Sequence, residues 1–192
     1  MTAETTDRRR RIAPIIGVVA VPLVMGLLLW AEGRMLLCSC GEFRFWVGDT
    51  CSSNNSQQLF DPYSFTHILH GILLFWVVAL LWRKRPLTQL TLALALEAAW
   101  EVFENTSFVI NRYRAETAAL GYTGDTIVNS LGDLTCALVG FLVARKLGLR
   151  WSLVAFVLVE IFLLVWIKDS LLLQLLMLIH PVESIKLWQM CR

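Results

Sequence analysis

Residues 96–105 of the chain read LEAAWEVFEN, an apolar segment interrupted by three glutamates. Glu97, Glu101 and Glu104 are spaced at i, i+4 and i+7, so a helix would place all three on one face. A carboxylate in an apolar environment is costly unless it pairs, takes up a proton or binds a cation. This acidic face therefore predicts a functional site.

A second polar face follows at residues 124–133, which read GDTIVNSLGD. Asp125, Asn129 and Asp133 are spaced at i, i+4 and i+8 at the start of another apolar segment. Asp125 has an alternative interpretation, because an Asp in this position often caps the N-terminus of a helix. We expect this second face to contribute to the same site as the glutamates.

The composition is typical of a membrane protein. Of the 192 residues, 57% are hydrophobic and 17% are charged, whereas soluble domains carry about 25% charged residues. We predict an all-α membrane protein, a single domain over residues 1–192, built as a bundle of five to six transmembrane helices. The predicted spans are 13–31, 64–82, 87–108, 126–144 and 151–167, with a bent sixth span or an interfacial helix within 170–190 and one long loop at 32–63.

Basic residues alternate with these predicted spans. Residues 8–11, 83–85 and 145–150 hold ten Arg and Lys, whereas the long loop and the link at 109–124 hold four. The positive-inside rule then predicts a cytoplasmic N-terminus and a periplasmic loop for a multi-pass protein of a bacterial inner membrane. The first span could instead be a signal peptide, but its 19 apolar residues are long for one, so we expect a retained anchor.

The long loop contains three cysteines, which the oxidising periplasm would allow to form disulfides. Cys38 and Cys40 are separated by one residue, so we expect Cys51 to pair with one of them rather than the two to pair with each other. A reduced trio of cysteines that binds a metal is the alternative.

Two histidines begin the second predicted span. His67 and His70 lie at i and i+3 and share one helix face, although His67 could instead be a solvated residue near the membrane interface. The second span starts outside, the third ends there, and the fourth begins there. At 1.5 Å of rise per residue, the histidines, the glutamates and Asp133 reach a common level in the outer leaflet.

Imidazoles and carboxylates together offer the ligands that zinc, iron and manganese accept. A bound ion would polarise a phosphoryl or acyl oxygen, or acidify a water molecule, beside a remaining glutamate acting as general base. The predicted metal ligands are His67, His70, Glu101, Glu104 and Asp133; the candidate catalytic groups are Glu101, Glu104 and Asp133; and the supporting residues are Glu97, Asp125 and Asn129.

Two arginines lie in the predicted outer link. Arg112 and Arg114 would hold an anionic head group through bidentate contacts. The alternative is that they neutralise Glu104 and Asp125 in a structural salt-bridge network.

Six motifs follow one another along the chain: Cys38 to Gly41, Ser53 to Gln57, Ser64 to Gly71, Glu97 to Asn105, Asn111 to Arg114, and Gly124 to Asp133. In this order they resemble a family of uncharacterised bacterial inner-membrane proteins, and more distantly the VanZ-like membrane proteins. The resemblance implies a membrane location and a shared polar constellation, but no activity. Gln58 stands where relatives are expected to have His, which would remove one loop ligand.

The sequence thus predicts a metal-assisted hydrolase or transferase that acts on a lipid or envelope intermediate. The alternative is a non-enzymatic protein, either a lipid- or ligand-binding subunit or an assembly partner in a larger membrane complex. Ion passage would need acidic residues continuing to the inner side, where the spans carry none apart from Glu160. Membrane lipids are the expected partners, and a homo-oligomer is a possible assembly. The basic residues at span ends give no indication of nucleic-acid binding.

Overall fold

The computed structural model describes residues 3–82, 85–117 and 121–190, with side chains from residue 13 onward except at Glu116. Within these ranges the chain is helical and has no β-strand, apart from an isolated bridge between Trp46 and Phe60. The predicted all-α class is therefore confirmed. The described helices are α1 (Ala3–Ala31), α2 (Ser64–Leu81), α3 (Pro86–Glu104), α4 (Ser107–Glu116), α5 (Ile127–Ile167), α6 (Leu171–Ile179) and α7 (Glu183–Gln189).

Three of the described helices contain segments long and apolar enough to cross a membrane: Ala13–Ala31, Ser64–Leu81 and Ile127–Ile167. The last of these covers both the fourth and the fifth predicted span. The two parts are joined at Gly148, whose φ of +72° departs from helical geometry and is readily accessible only to glycine. The basic residues at 8–11 and 83–84, on which the predicted topology depends, lie outside the described side chains, so that topology stays a prediction.

The boundaries differ from those predicted at two places. Helix α3 ends at Glu104, and a separate helix α4 begins at Ser107, still within the predicted third span of 87–108, and continues into the segment expected to be a polar link. The Thr106 side chain caps α4 by accepting a hydrogen bond from the Val109 backbone N–H. The tail forms α6 and α7, which are nine and seven residues long and are each shorter than the roughly 20 residues of a membrane span.

Helices α2 and α5 pack with their backbones in close contact. A Cβ atom on Gly71 would lie 2.0 Å from the Ala137 carbonyl oxygen, and one on Gly140 would lie 2.0 Å from the Ile68 carbonyl oxygen. Glycine permits this approach, as in other helix pairs within membranes. Phe141 and other buried apolar side chains fill the core around the contact. The contact fixes the start of α2 beside the start of α5.

Helix α1 packs against α3. The Thr91 hydroxyl donates a hydrogen bond of 2.9 Å to the Pro14 carbonyl oxygen. Further along, Met25 and Leu29 of α1 are buried with Leu94 and other apolar side chains of α3. Because α1 covers this apolar face, the glutamates of α3 face the interior between α2 and α5.

The long loop covers the N-terminal end of α5. Backbone N–H groups in the first turn of a helix lack partners within the helix, and here loop carbonyls supply them. The Ile127 N–H donates to Met35 O at 2.9 Å, and the Thr126 N–H, just before the helix, donates to Ser56 O at 3.1 Å. At the other end of α5, Trp46 of the loop stacks on Trp166, with ring centroids 6.0 Å apart.

The cysteine pairing differs from the one expected. Cys38 and Cys40 lie at disulfide distance, with Cα atoms 5.2 Å apart, so the expectation that these two neighbours do not pair with each other was wrong. The turn at Gly41, which has a φ of +74°, follows this pair. Cys51 is not a free thiol either, and Cys136 is the free cysteine among the described residues.

The close contact between α2 and α5 predicts the effect of adding one methyl group. We expect Gly71→Ala to lower the free energy of unfolding by about 1–3 kcal/mol, because the added Cβ collides with backbone rather than with a flexible side chain. Gly26→Ala is the matched control, since its Cβ would meet Ile127 at an ordinary 3.6 Å. Unfolding in detergent would measure both, and equal stabilities would contradict the packing.

Candidate functional site

Two imidazoles of α2 share one carboxylate of α3. His67 Nδ1 lies 2.6 Å from Glu97 Oε1, and His70 Nδ1 lies 3.0 Å from the same oxygen. Glu97 is 1% exposed and His67 is 6% exposed, so His67 is not the solvated interfacial residue considered from the sequence. Glu97, which the sequence placed only in a supporting role, is the carboxylate between the two histidines.

Glu101 lies one turn further along the same face of α3. Its Oε1 is 3.2 Å from His67 Nδ1, but neither of its carboxylate oxygens has a hydrogen-bond partner, although both are buried. The Glu101 residue as a whole is 0% exposed. A buried carboxylate without hydrogen bonds is costly unless a proton or a cation compensates it.

The opposite side of His67 faces α5. Its Nε2 lies 3.9 Å from Asp133 Oδ2, so His67 is placed between the acidic faces of α3 and α5. The other Asp133 oxygen accepts a hydrogen bond of 2.8 Å from the Ser64 hydroxyl. The predicted meeting of three helices at one level is therefore present in the structure.

Two overlapping groups of side chains could hold a metal ion. One consists of His67, His70 and Glu97, and the other of His67, Glu101 and Glu104; in each, the candidate ligand atoms lie within 4.8 Å of one another. Nitrogen and oxygen ligands bind such ions at about 2.0–2.2 Å, which places neighbouring ligand atoms about 3–3.5 Å apart. The 3.2 Å between His67 Nδ1 and Glu101 Oε1 and the 3.0 Å between His70 Nδ1 and Glu97 Oε1 match that spacing, whereas the 2.6 Å between His67 Nδ1 and Glu97 Oε1 is a hydrogen-bond distance.

Asp61 supports the site from the loop. Its carboxylate accepts hydrogen bonds of 2.8 Å from the backbone N–H groups of Ser56 and Tyr63, and its own N–H donates to the Ser64 hydroxyl that binds Asp133. Burial raises the pKa of Asp61 to about 6, against these two hydrogen bonds. The sequence did not single out this residue.

Asp125 lies outside the histidine cluster. Its carboxylate accepts hydrogen bonds from the Asn105 amide at 2.8 Å and from the Tyr122 hydroxyl at 3.0 Å. Burial raises the pKa of Asp125, against these hydrogen bonds. The N-cap of α5 is Thr126, whose side chain accepts from the Asn129 backbone N–H, so the interpretation of Asp125 as the helix cap was wrong.

A pocket of about 430 Å³ adjoins the cluster, within the range of small-molecule sites. Its wall includes His67, His70 and Asp133, together with Glu104, which is a side-chain hydrogen-bond partner of Tyr113. The loop and the C-terminal helices complete the wall at residues 50–57 and 167–190. The pocket thus connects the buried histidines with the loop end of the bundle.

Asp169, between α5 and α6, is a pocket residue that the sequence did not single out. It has side-chain hydrogen bonds with Tyr63, Gln174 and Gln189, and it accepts from the Ser170 N–H at 2.8 Å. Burial raises the pKa of Asp169 to about 7. An isolated acid after an apolar segment was the available signal in the sequence, but Tyr63 and Gln189, two of its partners, are far from it in the chain.

The remaining predicted residues are held by backbone groups. The Asn129 amide donates a hydrogen bond of 2.8 Å to Gln58 O. The Arg112 guanidinium donates to Leu178 O at 3.1 Å, at the end of α6, and Arg114 donates to Tyr122 O. Neither arginine lines the described pocket wall, and their proposed role in anion binding stays a prediction.

The raised pKa of Asp169 predicts a pH dependence of stability. Between about pH 4 and pH 7 the folded protein keeps a proton on Asp169 that the unfolded chain releases, so stability falls as pH rises through this window. Asp169→Asn cannot release that proton, and we expect it to lose less stability than the wild type between pH 4.5 and pH 7.5. Unfolding in detergent at the two pH values would measure this, with the exposed Glu183→Gln as control. Equal losses of stability in the wild type and in Asp169→Asn would contradict the raised pKa of Asp169.

The chain is 41% identical over 173 residues to a UPF0314 protein of Brucella anthropi, covering 90% of this chain and 88% of the relative. It is 40% identical over 188 residues to one of Rhizobium meliloti, covering 95% and 94%, and 38% identical over 175 residues to one of Novosphingobium aromaticivorans, covering 88% of each. No solved structure matches the chain significantly. The model of the protein family of unknown function DUF2585 matches residues 29–191, and the chain belongs to that family.

Proposed function

We propose that this protein binds a divalent metal ion between α2 and α3 and uses it for hydrolysis or group transfer on a membrane lipid or an envelope intermediate. The observation that carries the proposal is Glu101, a fully buried carboxylate whose two oxygens lack hydrogen-bond partners. A cation beside His67 would satisfy that carboxylate. It would also remove the repulsion between Glu101 and its acidic neighbours.

The ligand set supports zinc, manganese or iron(II) rather than calcium or magnesium. His67 and His70 each present Nδ1 toward the oxygen of Glu97, and imidazole nitrogen suits transition metals, whereas calcium and magnesium prefer oxygen ligands. Glu97 and Glu101 would supply the oxygen ligands, and Asp133 would bind the far side of His67 or complete the coordination.

The chemistry follows from where the cluster meets the pocket. A metal ion supplies a Lewis acid and lowers the pKa of a bound water molecule. Glu104 lines the pocket and is only partly buried, so it is positioned to take a proton from an attacking water or hydroxyl group. The three apolar helices support a substrate that is presented by the membrane.

A metal-free cluster is the competing arrangement. In that case His67 carries two protons and pairs with Glu97 and Asp133, and Glu101 holds a proton. Such a protein would be a structural or ligand-binding subunit rather than a metal-dependent enzyme. The two arrangements differ in metal content.

Metal analysis of the detergent-purified full chain, carrying an affinity tag without histidine, tests the proposal. We expect about one equivalent of a transition metal per chain. Glu101→Gln and His70→Ala should each lower the metal content at least tenfold, because each removes a direct ligand. Loss of a residue that only supports a ligand already costs about 10–100-fold in metal affinity. Glu183→Gln on exposed α7 should keep the wild-type content.

Circular dichroism and gel filtration would establish that each variant is folded. His70 is half-buried, so its replacement disturbs the core less than that of Glu101. A folded wild-type protein that contains no metal, and takes up none from added zinc, manganese or iron(II), would exclude the proposal.

A further inference from the structure

The wall of the pocket has an unbalanced charge. Beside the histidine cluster it carries five carboxylates, and no Lys or Arg appears among its lining residues in the described parts of the chain. A divalent ion held by Glu97 and Glu101 would offset the charge of those two carboxylates, which are not among the five of the lining. The carboxylates of the lining are Asp61, Glu104, Asp125, Asp133 and Asp169.

Three of these acids are paired with tyrosines. In each pair the tyrosine hydroxyl is a side-chain hydrogen-bond partner of the carboxylate, and both residues line the pocket. The rings of Tyr113 and Tyr122 meet edge to face, with centroids 5.7 Å apart. The pairs are Tyr63 with Asp169, Tyr113 with Glu104, and Tyr122 with Asp125.

Asn129 adds an independent indication of a ligand. It lines the pocket and is 1% exposed. Its amide N–H donates a hydrogen bond to Gln58 O, but its Oδ1 is buried and has no hydrogen-bond partner. A buried acceptor without a donor is costly, so a ligand that fills the pocket should bring hydrogen-bond donors.

We propose that the pocket binds a primary ammonium group, of the kind carried by ethanolamine. Carboxylates neutralise such a cation, and the faces of tyrosine rings stabilise it by cation–π interaction. Its three N–H donors match acceptors of the wall, including Asn129 Oδ1. An anionic group without a metal would face five carboxylates and no Lys or Arg in the described lining.

The amine is the substrate class that we assign to the proposed function. Its role as a substrate rests on that function, whereas its binding does not. Binding itself depends on the tyrosine–carboxylate side of the pocket. Asp169 belongs to neither of the groups that could hold the metal. The two ideas therefore fail separately, because metal content tests one and amine binding in metal-free protein tests the other.

Calorimetric titration of the detergent-purified full chain with ethanolamine tests the inference. The titration is done at pH 8, where Asp169 is ionised, with metal-loaded and chelator-treated protein. Ethylene glycol is the uncharged probe of matched size, and inorganic phosphate is the anionic probe. We expect saturable ethanolamine binding in both preparations, at least tenfold tighter than binding of either control.

Substitutions at Asp169 locate the site. Asp169→Asn should weaken ethanolamine binding at least fivefold, and Asp169→Lys should abolish it by supplying a competing ammonium group. Both should keep the wild-type metal content, and Glu183→Gln should change neither readout. Ethanolamine binding that is unaffected in folded Asp169→Asn, or no tighter than that of ethylene glycol or phosphate, would overturn the inference.

Lipid nanodiscs separate the two sources of such a group. Native mass spectrometry of protein released from discs of phosphatidylethanolamine and phosphatidylglycerol would show selective retention of phosphatidylethanolamine, lost in Asp169→Asn, if the amine belongs to a lipid. Ethanolamine binding without lipid retention would identify a soluble amine. Absence of both in folded wild-type protein would overturn the inference.

Discussion

The structure depends on burying carboxylates among apolar helices. Glu97 is compensated by two imidazoles on α2, whereas the equally buried carboxylate of Glu101 lies 3.2 Å from His67 Nδ1 but accepts no hydrogen bond. A buried carboxylate needs compensation from side chains of the neighbouring helices, from a proton or from a cation. The glycine contact between α2 and α5 and the packing of α1 on α3 set that geometry.

The polar interior has two parts with different chemistry. Around His67, two overlapping groups of imidazole and carboxylate atoms lie close enough together to hold an ion. Toward the loop the acids are spread along the pocket and bonded to tyrosines, which suits an organic cation better than a metal. Glu104 lies between the two parts, since it belongs to a candidate metal group and also lines the pocket.

Helical spacing predicted which faces would meet, because the periodicity of Glu97, Glu101 and Glu104 fixes their direction around the helix axis. It could not predict which glutamate lies nearest the histidines, since that depends on the axial position of α3 against α2. Asp61 and Asp169 were not found because their hydrogen-bond partners are distant in sequence or belong to the backbone. Thr126 rather than Asp125 caps α5 because Asp125 is held by Asn105 and Tyr122.

The pocket wall combines residues 50–63 with residues 167–190, which has a consequence for biosynthesis. A ribosome delivers α2 and α3, with their histidines and glutamates, well before it delivers Asp169 and the two short C-terminal helices. The nascent chain therefore contains the histidine cluster before the C-terminal wall of the pocket has been synthesised. Cleavage of the chain before Asp169 would leave the histidines in place but remove one side of the cavity.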